Sequence, residues 1–597
     1  MKTRKREIMH DIVPIPPHVA SFCRLNSMLS HIVPLSPYGR DRVAEIGLVT
    51  DAGILESLYD DIEAAGAFLA KLDEVRRDRL FWHFGKLPRI PQLNVAAPCG
   101  LMELFLFKKF LLHYRNICDL VSEEFRDHFG IVFESSDLLE ALSAGSRDAE
   151  SFAISEGHEP GLGPIRARIA EADQTVAQRR QTLEAACQEA YGFDFAGREF
   201  IVISVDRALA AIEKGRRGEA PSLAAEPYDA HSMIVRIIPD AVLLGAEEDR
   251  RRAREEERLL EQTAIARLSG LVAASGGALA RYCSAVKRFD YALAQWKFVR
   301  QYRLVRPALL KNAAGDVHAT GADRSDRAPA GNAASLSCRG ARFMPLEEEC
   351  VSRGVPYEPL DFTLDRPVGI LSGSNMGGKT CVLQTLVFLQ VLAQCGMFVP
   401  ASHFETPVFQ WLDVVGEAGE TAGRGLSAYG FEIRRLIDVL KAARDAPGLA
   451  VFDEFARTTS AGEAEALMQA IVEHLASFSG TLCIFATHIQ CSPAQGKGRA
   501  FRMAGFDAGQ ARATLNSGKA KGEETLEALL ARINSLMRYR VVPRDESGEV
   551  SDSDALAVAR LLGLDATLVD RAEELLNLGA RRDAHDKRRM ARSNEEH

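Results

Sequence analysis

Val368-Gly-Ile-Leu-Ser-Gly373-Ser-Asn-Met-Gly-Gly378-Lys379-Thr380 decides the fold. An apolar run ends in a glycine-rich turn, and a helical pattern follows from Val382 to Leu392. The spacing is GxxxxGK[ST], in the strand-to-helix setting that the motif needs. Glycines let backbone N–H groups turn inward around phosphate oxygens, and the helix N-terminus favours negative charge. Gly373, Ser374, Asn375, Met376, Gly377, Gly378, Lys379 and Thr380 are therefore the candidate phosphate site. Lys379 would reach the β- and γ-phosphates of ATP, and the Thr380 hydroxyl would ligate Mg²⁺. The plain alternative, a turn with a surface lysine, does not account for the flanking elements.

Two further apolar runs belong with it. Leu449-Ala-Val-Phe-Asp453-Glu454 ends in two carboxylates. An acid at such a strand end can hold Mg²⁺, which assigns Asp453 to the metal, and Glu454 is placed to polarise an attacking water. Thr481-Leu-Cys-Ile-Phe-Ala486 ends in Thr487-His488, where His488 can sense the γ-phosphate or orient the water. Alone, each pattern also fits a helix cap or a solvated strand end. Strands alternating with helices after Arg342 argue for an α/β domain with a mainly parallel sheet.

Upstream, residues 1–30 read as an irregular arm, and 31–163 as a helical core with apolar residues three and four apart. A long polar helix is expected from Pro164 to Glu189 and a charged one from Ala246 to Ala274. Between them lie two strand-like runs, Glu199–Val205 and Met233–Ile238, separated by a stretch bearing Gly and Pro. Residues 164–275 thus read as a helix out, a small sheet, and a helix back. Residues 276–311 return to the helical core, 312–341 form a linker, 342–580 the ATPase domain, and 581–597 a charged tail.

Together these motifs resemble the MutS family of ABC-type ATPases. The family's Asn-Met-Gly-Gly-Lys stands at Asn375–Lys379 and its Gly-x-x-Val-Pro-Ala at Gly396–Ala401. Its Asp-Glu-x-x-Arg-x-Thr-Ser stands at Asp453–Ser460, and its Ala-Thr-His at Ala486–His488. The resemblance implies a multidomain fold: an α-helical core and lever domain with an inserted β clamp, then an α/β P-loop ATPase domain. It implies ATP and Mg²⁺ as cofactors, hydrolysis to ADP and phosphate, and a dimer. Gly425-Leu-Ser427-Ala-Tyr-Gly-Phe-Glu432 looks like the family's signature loop, where Ser427 would reach the partner's γ-phosphate. Val355-Pro-Tyr357 lies where the family packs the adenine. Lys214, Arg216 and Arg217, between the two predicted strands, would meet DNA phosphates at the clamp tip. A solvated charged loop explains those three equally.

The departures limit what carries over. The only literal Phe-x-Glu is Phe452-Asp-Glu454, already part of the ATPase strand, and the chain begins close to the helical core. Mismatch sensing by an aromatic wedge is therefore not expected. Cys381 stands where the family has a second hydroxyl, and Ala456 and Thr458 where it has glycines. Two functions compete: a dimeric clamp on double-stranded or branched DNA, in the manner of repair and recombination proteins, and an ATPase acting on a protein. Some short MutS-like proteins resemble reactivating chaperones of cobalamin-dependent amino-acid mutases.

Composition excludes other classes. The 597 residues are 47% hydrophobic and 26% charged, which suits packed domains rather than disorder. No run of 18 uncharged apolar residues and no secretory leader are read, and eleven cysteines without a CxxC pair suit reduced thiols, so a cytoplasmic protein off the membrane is expected. A net charge of −9 gives no bulk support for nucleic-acid binding.

Overall fold

The computed structural model describes residues 12–92, 98–145, 148, 150–310, 334–373, 378–416, 428–456, 461–478, 480–489, 491–493, 496–506, 537–544, 556, 559–560 and 564–575. Contacts divide the chain into two compact units, one of residues 1–34, 39–71 and 289–597, the other of residues 35–38 and 72–288.

The first unit is built on a six-stranded sheet. Its strands are β1 (Val368–Ser372), β2 (Trp411–Val415), β3 (Gly448–Asp453), β4 (Leu482–Thr487), β5 (Gly498–Phe506) and β6 (Met537–Pro543), in the order β2-β3-β4-β1-β5-β6. The first five strands in that order are mutually parallel, and β6 closes the edge antiparallel to β5. Strands covered on both faces should be apolar without alternation. β4 meets that rule with every residue buried, as does β3 until Asp453. Phe452 and Phe485 stack with ring centroids 4.2 Å apart on one face. The helix Lys379–Gln394 is buried nearly all round, so its hydrophobicity has no polar face to give an amphipathic period. Its two buried glutamines are fully bonded: Gln390 takes the Thr406 hydroxyl, and Gln394 donates to the carbonyls of Val49 and Phe409.

The N-terminal stretch differs from the irregular arm read from its prolines. Ile12–Val13 pairs with Leu48–Val49, and Pro17–Phe22 and Leu25–Leu29 are helices. Pro17 sits in the first helical turn, where its missing N–H costs nothing. Val19, Cys23, Leu25 and Met28 are buried in one cluster with Val382, Leu383 and Leu386 of the helix after the phosphate turn. A second sheet in this unit runs Ala308–Leu310, His403–Pro407, Leu336–Ala341, Leu360–Leu364 in spatial order.

The second unit packs helices Glu74–Lys86, Leu101–Leu120, Glu123–Phe129 and Ser136–Ser143 around Phe107, Phe110, Leu111 and Tyr114. From it run two long helices, Leu162–Tyr191 and Ala241–Ala274, packed along each other. At 1.5 Å per residue they are about 45 and 51 Å long. Few apolar residues join them, so ion pairs line their seam: Arg166 with Glu257 and Glu261, Arg168 with Glu256, Arg179 with Asp240, Arg180 with Glu247, and Arg250 and Arg254 with Asp173.

Between the long helices the chain forms a three-stranded antiparallel sheet with Ser232–Ile237 central, Ile201–Ser204 and Leu223–Pro227 flanking it. The expected two-strand element thus gains a third strand, and the stretch between the two predicted runs also carries a helix, Val205–Arg216. Ala208 and Ala211 bury that helix against Leu223 and Val235. All eleven cysteines are free thiols. No single helix among the described residues is long and apolar enough to cross a membrane.

Candidate functional site

The carboxyl ends of β1, β3 and β4 meet at one edge of the first unit's sheet, where loops of open α/β sheets bind ligands. β1 runs into Gly373 at φ 147°, and Gly378, at φ 84°, caps the helix that begins with Lys379. Both angles favour glycine, and a Cβ at either position would press on a neighbour: at Gly373 it would lie 3.1 Å from Met503, and at Gly378 3.0 Å from the Tyr539 ring. Ser374, Asn375, Met376 and Gly377 lie outside the described residues.

Lys379 is only 3% exposed. Its ammonium donates to the Gly373 carbonyl at 2.7 Å, bridging the two ends of the turn, and stands 3.9 Å from Glu454 Oε1. Burial pulls the Lys379 ammonium below its ordinary range, and the carboxylates of Glu454 and Asp453 oppose that pull. A lysine held this way has its charge partly desolvated and directed at the mouth of the turn, where an anion gains most from it.

The Thr380 hydroxyl is exposed and donates to Asp453 Oδ1 at 3.1 Å. A hydroxyl beside a carboxylate is a hard oxygen donor pair, which suits Mg²⁺ and leaves its remaining positions to water and phosphate. The set of residues therefore fits a Mg²⁺–nucleotide, whose cation Thr380 and Asp453 would hold.

Glu454 follows Asp453 at φ 52°, a left-handed conformation uncommon outside glycine. Its N–H donates to the Ala486 carbonyl at 2.9 Å, which pins the carboxylate loop to β4. His488 follows β4 and is exposed, while the Thr487 hydroxyl accepts from the Ile489 N–H at 2.9 Å and turns the chain there. Gly373, Gly378, Lys379, Thr380, Asp453, Glu454 and His488 thus all lie at this edge. Ser427 lies outside the described residues.

Tyr357 is turned to another use than an open face. Its hydroxyl accepts from the Phe343 N–H at 2.7 Å, at the start of helix Met344–Ser352, and burial pushes its pKa up to about 12. Val355 is half-buried, its N–H on the Cys350 carbonyl. Tyr539 is a neighbour that the motifs do not reveal, and Glu432, the last residue of the stretch that looks like the signature loop, has no role assigned to it there. Tyr539 comes from β6, more than 150 residues along the chain from Gly378, and carries no local pattern. Glu432 reads as one solvated acid in a helix yet is 4% exposed.

The three cations expected at a clamp tip are partly engaged. Lys214 donates to the Ala190 carbonyl at 2.8 Å and lies over the Tyr191 ring, and Arg217 donates to Glu213 at 2.7 Å. Arg216 is exposed on the last turn of its helix. Between Gly192 and Asp240 six basic residues stand against eight acidic ones.

Residues 369–578 match the family model described as MutS domain V. The chain is 28% identical over 431 residues to an endonuclease MutS2 of Thermomicrobium roseum, covering 70% of this chain and 47% of that protein. An endonuclease MutS2 of Thermus thermophilus is 26% identical over 499 residues, 83% of this chain and 56% of the relative. A DNA mismatch repair protein MutS of Natronomonas pharaonis is 35% identical over 161 residues, 27% of this chain and 18% of the relative. The chain spans about half the length of the MutS2 relatives it matches. The resemblance read from the phosphate turn and the carboxylate pair thus agrees with the family model over residues 369–578 and with the MutS2 relatives, to which the chain is similar along most of its length.

Proposed function

We propose that this protein is a Mg²⁺-dependent ATPase that couples hydrolysis at a dimer interface to opening and closing on DNA. The observation that carries the reading is the double juxtaposition of Thr380 with Asp453 and of Lys379 with Glu454, at the carboxyl ends of β1 and β3, the two strands that flank β4. Mg²⁺, when bound, neutralises charge on the phosphate oxygens. Lys379 and the turn's backbone N–H groups hold the phosphates, Thr380 and Asp453 hold the cation, and Glu454 accepts a proton from the attacking water. His488 orients that water, and Ser427 completes the partner's site. The relatives' names, endonuclease MutS2 and DNA mismatch repair protein MutS, support DNA as the client.

A second reading has its own support. The stretch Gly192–Asp240 is acidic on balance, and the long helices pair most of their arginines with carboxylates, across the seam or, as Arg251, Arg252 and Arg258, within one helix. A duplex clamp needs exposed cations facing one channel. An ATPase acting on a protein, such as a reactivating chaperone of a cobalamin-dependent amino-acid mutase, needs none.

Steady-state ATPase with homoduplex, mismatched and branched DNA at fixed low salt, and binding followed as salt rises, decides between them. Stimulation by one DNA form with a steep salt slope is the expected result. Intact turnover with no DNA response moves the assignment to a protein client. No turnover under any condition removes the ATPase reading itself.

A further inference from the structure

Glu432 is an acid buried in the first unit, on helix Ala428–Asp445, and it is absent from the chemistry assigned so far. Its Oε2 accepts the Ala456 N–H at 2.9 Å. Ala456 is 1% exposed and Phe455, just before it, is fully buried, so water does not reach that N–H in place of Glu432. Ala456 sits at φ 62° and Glu454 at φ 52°, two left-handed residues that are not glycine within three positions. Such a backbone persists only where its surroundings over-determine it. Here two hydrogen bonds do so: the Glu454 N–H to the Ala486 carbonyl on one side of Phe455, and the Ala456 N–H to Glu432 on the other. Phe455 is wedged edge-on against Phe452 between them, with ring centroids 6.0 Å apart.

We infer that Glu432 is a positioning residue for Glu454: its carboxylate fixes the left-handed turn at Ala456 and so sets where the Glu454 carboxylate points. The bond joins two elements distant in function. Glu432 lies on the helix that begins directly after residues 417–427, the stretch holding Ser427, and Ala456 belongs to the carboxylate loop. At the other end of that stretch Gly416 lies against Asp453, where a Cβ would stand 2.9 Å from the Asp453 carbonyl. Both anchors of the stretch therefore rest on the same corner as the carboxylates.

This inference rests on Glu454 as the base, so Glu454→Gln is measured beside it on the full-length protein. Three changes at Glu432 separate positioning from bulk packing. Glu432→Gln keeps length and an acceptor oxygen, and is expected to hold kcat within about twofold. Glu432→Asp keeps the charge but withdraws the oxygen by one methylene, and Glu432→Ala removes it. Both are expected to lose about tenfold or more in kcat while KM for ATP and nucleotide-binding affinity stay within about twofold. Should the Ala variant fail to fold, the Asp and Gln variants carry the test. Normal kcat in Glu432→Asp, or a Gln variant as impaired as the Ala one, overturns the positioning role. Full turnover in Glu454→Gln instead withdraws the base assignment, a different failure read from a different variant.

Discussion

Thr380 and Asp453, 73 residues apart in sequence, meet at 3.1 Å through the Thr380 hydroxyl and Asp453 Oδ1. This pair joins the helix after the phosphate turn to the end of β3, and it sets the first prediction. Asp453→Asn keeps the shape but removes the charge that a divalent cation needs. It is expected to raise the Mg²⁺ concentration for half-maximal ATPase at least tenfold, read from a Mg²⁺ titration at fixed ATP. An unchanged titration removes Asp453 from the metal site.

Lys379 and Glu454 stand 3.9 Å apart, and their removal is expected to give opposite phenotypes. Lys379→Ala takes away the desolvated charge facing the phosphates and abolishes ATP binding, measured with a fluorescent nucleotide. Glu454→Gln keeps binding and loses about 10²- to 10⁴-fold in hydrolysis, the usual worth of a general base. Normal turnover in Glu454→Gln would mean that another group activates the water.

Composite sites predict crossed behaviour between chains. A Ser427→Ala protein mixed with a Glu454→Gln protein should yield heterodimers with one dead site and one site with both intact contributions, restoring about a quarter of wild-type activity at equal random mixing. Activity that equals the plain average of the two parents rules out a shared site.

Acid should weaken the unit of residues 72–288 through its buried histidines, His113 chief among them beside His83 and His158. Burial first, then the charge of His83 at 3.0 Å, bring the His113 pKa down from 6.5 to about 4. The folded unit therefore refuses a proton that the unfolded chain accepts, so stability is intact above about 6.5, falls as pH drops, and stops falling near 4. The loss is about 2 to 3 kcal/mol over that window. His113→Gln should flatten this part of the curve in acid denaturation followed by circular dichroism. A slope unchanged in that variant places the acid sensitivity elsewhere.

The phosphate turn, the carboxylate pair and the parallel strands were legible because each is local: a run of apolar residues, then the chemistry at its end. What escaped was set by distant contacts. The helix Val205–Arg216 buries only Ala208, Ala211 and Gly215, residues too small to write a clear hydrophobic period beside Lys214 and Arg216. The N-terminal helices were hidden behind Pro14, Pro16 and Pro17, and their burial depends on a helix more than 350 residues later. Tyr539 reaches Gly378 only because β6 folds back along β5, and Glu432 looks like any acid on an amphipathic helix until Ala456 is placed beside it.

The arginine–carboxylate seam of the two long helices bears on how fast any partner arrives. Charges paired across a seam cancel within a few ångströms, and beyond a Debye length of about 8 Å in physiological salt little field remains. Such a strut neither draws in a polyanion nor turns one away. Capture then proceeds at the rate of unguided encounter, about 10⁵ to 10⁶ M⁻¹s⁻¹, and discrimination between partners falls to how long they stay.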